Sequence, residues 1–448
     1  MSEIKFDFTA AKGKIKAMHA VGQPPMLHAY HGLFHYLTEA NIPYSRLHDA
    51  GGSFGGCVYV DIPNVFPNFD ADENDPASYD FAFTDHLLKG IKAANVEPYY
   101  RLGITIENYP EIKPYRLAPP TDFAKWARIC EHVIRHYNEG WADGYEMGIT
   151  YWEIWNEPDS YTGKKTPANG SMMWTGTKEQ YFELYEIAAK HLKACFGDTI
   201  KVGGFASCGF YAVDAAPNAL GLNIPDKEDR EIPPAHAYFI DFFRGFLSHL
   251  KATGTPMDFF SWHTYASVEN SLRHADYCAL ELERYGFTDC EVHCNEWNTA
   301  HTVDNRGTSF AAASAAAMML AMQNKRMDVM CFYDARLGPS VYGGLFNPLT
   351  WKPLCTYYSF QAFGELYKLG TQAGCEISDA GLYGLAAMDG DSKAVMISNL
   401  GDEREINTNL CDSMKAYLID EDHFMTEAEL DPACFTLGKN QVVFFKNF

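Results

Sequence analysis

Tyr151-Trp-Glu-Ile-Trp-Asn-Glu-Pro-Asp159 decides how the chain reads. Tyr151 to Trp155 alternates aromatic and aliphatic residues, the pattern of a buried strand. The strand stops at Asn156-Glu157-Pro158, because proline lacks an N–H and holds its predecessor extended. Glu157 therefore sits at the carboxyl end of a strand, flanked by Trp155 and Pro158. Partial desolvation there raises a carboxyl toward the range of a general acid. Taken alone, the stretch fits an ordinary capped strand end about equally well.

A matching strand end lies downstream in Glu291-Val-His-Cys-Asn-Glu-Trp-Asn298, where a short strand again ends in Asn-Glu, here followed by an aromatic. Two carboxylates, Glu157 and Glu296, at the ends of two strands are what glycoside hydrolysis requires. One protonates the leaving oxygen; the other attacks or activates water. Between them, Phe259-Phe-Ser-Trp-His-Thr-Tyr265 reads as a third strand with His263 and Tyr265 on one face.

These three strands resemble clan A of the glycoside hydrolases, and within it family 39, which holds β-xylosidases and α-L-iduronidases. Trp152 to Asp159 resembles that family's acid/base strand, Asn295 to Thr299 its nucleophile strand, and His263-Thr-Tyr265 the His-x-Tyr strand between. The similarity runs over roughly residues 13 to 370. It implies Glu157 as acid/base, Glu296 as nucleophile and Asn156 as the contact to the sugar 2-hydroxyl. Three positions depart from the family pattern. Asp49-Ala50 follows His48 where the family shows Arg-x-His-Gly, Arg101 stands where an acidic residue is usual, and Asn295 replaces a threonine.

Outward from these strands, short apolar runs alternate with helical patterns. Strands are expected near 15–20, 42–47, 97–102, 149–155, 200–205, 258–265, 290–296 and 328–333, each followed by a helix. In the clearest helix, from Lys178, Thr177 and Gln180 form a capping box and Gly197 ends the periodicity. Eight such units predict a (β/α)₈ barrel. Helix-to-strand connections are short and strand-to-helix ones long, so the long loops gather on the face where such barrels build their sites. A doubly wound sheet is the alternative, but no Gly-x-Gly-x-x-Gly follows a strand. From Thr371 the texture changes to short strand-like runs between Asp, Gly and Asn clusters, a small β-sandwich. The expected division is a catalytic barrel over 13–370 and an accessory sandwich over 371–448, with residues 1–12 joining it.

Further residues are candidates for binding substrate. Arg46 and His48 end the second strand, where a buried arginine could hold the nucleophile ionised and the histidine meet a hydroxyl; a satisfied core pair is the competing reading. Tyr265 is expected to hydrogen-bond Glu296. Trp297 and Phe332-Tyr333 are candidates for a stacking platform, or for ordinary barrel core. Asp334 either binds substrate or caps a loop. Tyr109, Tyr115, Trp174 and Tyr342 lie in long loops and are candidate subsites. Arg101 would meet a carboxylate or compensate a neighbouring acid.

The 448 residues carry a net charge of −22, which argues against nucleic acid or an anionic membrane as partner and suits a neutral sugar. No apolar run spans a membrane and the first residues lack a signal-peptide pattern, so a cytoplasmic location is expected. The 12 cysteines contain no Cys-x-x-Cys pair and read as reduced thiols. No metal site or cofactor is expected: His28 and His31 share a helix turn without an acidic partner, and His-Glu-x-x-His is absent. Self-association is left open. The reading is a retaining, exo-acting, β-xylosidase-like enzyme with a bell-shaped pH profile. Other sugars, transglycosylation by the same pair, and a barrel that binds carbohydrate without catalysis are the alternatives.

Overall fold

Eight parallel strands close into a barrel: Ala17–Gly22, Tyr44–Leu47, Glu97–Leu102, Tyr151–Ile154, Lys201–Ser207, Phe259–Thr264, Glu291–Trp297 and Val329–Phe332. The computed structural model describes residues 2–25, 32–50, 59–105, 118–160, 173–225, 227–337, 342 and 344–448. All eight expected strands are present, and the helix Lys178–Phe196 begins and ends as anticipated. Thr177 and Gln180 cap each other's backbone as their spacing predicts. The helix expected from Leu27 is observed as Phe34–Glu39, while Leu27, His28 and His31 lie outside the described residues, as do Tyr109 and Tyr115.

Alternation along the strands sorts the barrel interior into tiers. Tyr99, Tyr151, Phe259 and His293 fill the lower end, with the Phe259 and His293 rings stacked 4.7 Å apart. Two residues further along, Arg46, Glu153, Ser261 and Asn295 form a buried polar tier. Above it the strands open onto Asn156, Glu157, His263 and Glu296. An apolar plug therefore supports a charged tier, which carries the residues at the mouth.

Beyond the barrel, nine strands form one continuous path that includes Ser2–Asp7, paired to both Thr371–Ile377 and Arg404–Thr408, and the short strand Gly13–Lys14 pairs beside it with Thr371–Ile377. The path folds over into a sandwich, its two halves facing across one core. Ile4, Phe6, Val395, Ile397, Phe435 and Phe445 share a separate core, with the Phe435 and Phe445 rings 5.1 Å apart. Its other face, through Leu385, Met396 and Phe444, joins the barrel core. The Ala-rich helix Ser309–Met322 lies between the two and is buried nearly all round. The Ser398 hydroxyl donates to its Ala313 carbonyl at 2.7 Å.

Among the described residues no helix is long and apolar enough to cross a membrane, and the described cysteines are free thiols.

Candidate active site

The site grows out of the buried tier. Arg46 is 1% exposed and must be neutralised where it sits. Its Nε donates to Glu153 at 2.8 Å, its Nη1 to Glu296 Oε2 at 3.1 Å, and its Nη2 to Asn156 Oδ1 at 2.6 Å. One guanidinium thus ties together the ends of the two strands that carry the Asn-Glu pairs. Glu153 also accepts from Ser261 Oγ at 2.6 Å and from Asn295 Nδ2. Glu153 was not singled out from the sequence, although a charge in the middle of an aromatic strand was its visible sign.

Both carboxylates turn into the mouth because their strands break regular geometry. Trp155 and Glu157 have φ of 73° and 44°, so the chain rolls over after Ile154 and aims Glu157 inward. The Glu157 N–H then donates to Ala206 O at 3.0 Å. In the other strand a register shift lets consecutive Asn295 and Glu296 both face the interior.

His263 joins the two. Its Nδ1 lies 2.8 Å from Glu157 Oε1 and its Nε2 3.7 Å from Glu296 Oε2. One carboxylate oxygen of Glu157, one of Glu296 and a ring nitrogen of His263 all fall within 4.8 Å of one another. The Tyr265 hydroxyl donates to Glu296 Oε1 at 2.5 Å, and its backbone is fixed by Tyr211 Oη at 2.9 Å. A cation could in principle sit among these donors, but the Arg46 guanidinium already supplies positive charge to Glu296.

The two carboxyls feel different surroundings. Burial pushes Glu157 up to about 7, with Arg46 and a hydrogen bond from the Cys208 thiol pulling the other way. Burial also raises Glu296, and Glu157 adds to that, but His263, Arg46 and Tyr265 all favour its ionised form. The contacts of Glu296 thus favour its ionised form more strongly than those of Glu157 do. Burial holds His263 down at about 4, so its ring is neutral. A protonated Glu157 then donates to Nδ1, and the Nε2–H faces Glu296.

Two further groups lie behind Glu157. Asp159 is fully buried and accepts from Ser207 Oγ at 2.7 Å and from the Cys208 N–H at 3.1 Å. Burial, with a contribution from Glu157, raises it to about 7. The Cys208 thiol bonds to both carboxyls. Sequence reasoning missed this pair, since only the fold brings residue 208 to residue 157.

The family model of glycosyl hydrolases family 39 matches residues 63–334. The chain belongs to that family. It is 23% identical over 293 residues to a beta-xylosidase of Geobacillus stearothermophilus, covering 59% of this chain and 50% of that one. It is 24% identical over 233 residues to a beta-xylosidase of Caldicellulosiruptor saccharolyticus, covering 51% and 37%. The matches thus span half or less of these relatives' own length. Among solved structures, a glucosidase from Croceicoccus marinus superposes with a TM-score of 0.75 at 20% identity, over 100% of this chain and 98% of that one. A GH39 beta-xylosidase from Caulobacter crescentus gives 0.66 at 16% identity, over 100% and 99%.

Within this family 39 chain, the departures from the family pattern find physical explanations. Asp49 stands where the family has glycine and keeps φ at 52°, a conformation that aspartate tolerates better than most residues. Its Oδ2 accepts from Gln23 Nε2 at 3.1 Å and from Tyr333 Oη at 2.8 Å, so it orients an aromatic at the mouth. Arg101 compensates a neighbouring acid: its Nη2 lies 2.6 Å from Asp61 Oδ1, with both side chains fully buried. Asn295 reaches down to Glu153 rather than up to the mouth.

Trp297 does not belong to a stacking platform. The register shift at Asn295 and Glu296 turns it outward, where it is fully buried against Phe332, ring centroids 5.1 Å apart, and Phe360 of the helix Cys355–Leu369. The aromatic wall is made instead by Tyr265, Tyr333 and Tyr342, with Tyr342 centred 5.0 Å from each of the other two. His48 is buried 3.5 Å from Asp49 and kept neutral by burial and the surrounding cations. Asp334 is buried beside Tyr333, close to Gly344. Trp174 packs edge-on against Trp155, away from the mouth.

Proposed function

We propose that the protein is a retaining β-glycosidase acting by double displacement, with Glu296 as nucleophile and Glu157 as acid/base. The observation that carries this reading is that an oxygen of Glu157 and an oxygen of Glu296 lie within 4.8 Å of each other, with His263 between the two carboxyls. Retaining enzymes hold the pair about 5–5.5 Å apart, whereas inversion needs about 6.5–9.5 Å to admit water between carboxylate and sugar. The difference in environment assigns the roles. Glu157, raised by burial, protonates the leaving oxygen and later takes a proton from the attacking water. Glu296, held by Arg46 and Tyr265, attacks the anomeric carbon.

The tier beneath also serves this chemistry. Arg46 occupies Asn156 Oδ1, which turns the amide N–H groups toward a sugar hydroxyl. Tyr333 and Tyr342 offer ring faces for the apolar side of a pyranose. His48 and Asp334, both buried, are proposed to meet ring hydroxyls.

Short β-D-xylosides, cleaved from one end, are the preferred substrates, supported by the beta-xylosidase relatives. β-Galactosides, β-glucosides and α-L-arabinosides follow. A panel of aryl glycosides differing in sugar and anomer tests the choice, with the first-formed anomer of the released sugar read by NMR. Retention on a β-xyloside supports the reading; inversion on any cleaved substrate removes the mechanism, and a preference for another sugar removes only the substrate.

A further inference from the structure

On the outside of the barrel, away from the mouth, three unlike metal-binding side chains converge. His191 and Cys195 are four residues apart on the helix Lys178–Phe196, so they project from one face. Glu131 faces them from the helix Phe123–Asn138. His191 Nε2 lies 2.6 Å from Glu131 Oε2 and 3.8 Å from Cys195 Sγ, and all three donor atoms fall within 4.8 Å of one another. All are half-buried, so solvent reaches them.

We propose that Glu131, His191 and Cys195 form a Zn(II) site that clamps these two helices together, with water as the fourth ligand. Thiolate, imidazole and carboxylate is a donor set suited to zinc rather than to calcium or magnesium. Zinc bonds of about 2.0–2.3 Å place tetrahedral neighbours roughly 3.3–3.7 Å apart. The His191–Cys195 separation of 3.8 Å needs to close only slightly, and His191 and Glu131 need to open by about 0.7 Å when metal replaces the proton between them. Binding takes up Zn²⁺ and releases two protons to solvent, the Cys195 thiol proton and the one that lay between His191 and Glu131. A second shell is in place: Arg135 Nε donates to the far oxygen, Glu131 Oε1, at 2.8 Å and fixes which oxygen faces His191. Without metal the His191–Glu131 contact is a half-exposed ion pair of the kind that contributes little. The two helices flank Tyr151–Ile154, the strand that leads to Glu157, so the clamp would steady that strand from outside.

The test uses the full chain, stripped with a chelator and titrated with Co(II), then Zn(II). The expected result is one Co(II) per chain with a thiolate-to-cobalt absorption band in the near ultraviolet, discharged by Zn(II). Zn(II) raises the thermal midpoint without lowering turnover. Cys195→Ser removes the band, and His191→Asn weakens binding at least about tenfold, with turnover kept in both as proof of folding. Absence of the band at tenfold excess of metal overturns the proposal. So does a band of unchanged affinity in Cys195→Ser, which places the metal at another thiol.

Discussion

Glu157 and Glu296 end strands that look alike in sequence, each after an asparagine and beside a tryptophan, yet the fold treats them differently. Glu157 has rolled out of its strand at positive φ, with a neutral histidine, a thiol and a second buried carboxyl nearby. Glu296 stays in its strand, gripped by a guanidinium and a phenol. Burial dominates on one side and a directly bonded guanidinium on the other, the kind of difference that the proposed acid and nucleophile require. The shared motif locates the carboxylates, and the unshared neighbours assign their work.

The comparison can be broken most forcefully at Glu296. Glu296→Gln removes the proposed nucleophile, and turnover should fall by at least about 10⁴-fold. Comparable loss on every leaving group, with an unchanged circular dichroism spectrum, is the expected pattern. Glu157→Ala should behave differently, losing roughly 10²–10⁴-fold on substrates that need leaving-group protonation. Aryl glycosides with acidic leaving groups should suffer less in the first step, and azide should restore turnover by replacing the water that Glu157 activates. Equal losses across leaving groups in Glu157→Ala would erase the distinction between the two residues.

Smaller changes sharpen the contrast. Tyr265→Phe takes away a charge-assisted hydrogen bond to Glu296, worth about 1.5–3 kcal/mol, so kcat should drop about 10- to 100-fold. KM should move little if the phenol acts through the nucleophile. The smallest effect is expected at Asp159. The enzyme needs Glu157 protonated, so activity should decline as pH rises through about 7. Ionised Asp159 raises Glu157 by repulsion, just as Glu157 raises Asp159. Asp159→Asn should therefore move the alkaline limb of kcat/KM to lower pH, by less than about one unit. Asp159 also bears on stability. Its carboxyl is raised in the folded state, so its contribution is fully present at acid pH and lost as pH rises toward about 7. The variant should thus gain stability relative to wild type across that interval.

Much of this was legible in the chain. Strand–helix alternation and loop asymmetry gave the barrel, and repeated Asn-Glu strand ends gave the two carboxylates, because those features are local and periodic. What escaped was non-local or aperiodic. Trp297 was misplaced because a register shift puts Asn295 and Glu296 on one side and breaks the two-residue period on which the inference rests. The Arg101–Asp61 pair spans 40 residues, and a lone arginine announces no partner. Glu153, the anchor beneath both carboxylates, was hidden inside a motif already explained by Glu157. In the sandwich, the strands Arg404–Thr408, Phe424–Ala428 and Cys434–Leu437 are only four or five residues long and interrupted by polar residues, offering no sustained apolar run to read.

The most direct measurement is to trap the intermediate. A slow 2-deoxy-2-fluoro-β-glycoside of the preferred sugar, incubated with the enzyme and followed by peptide mass mapping, should leave one sugar on Glu296 and none on Glu157. A sugar found on Glu157 or elsewhere, or efficient turnover through a substrate that never labels the protein and inverts its anomeric centre, would contradict the account.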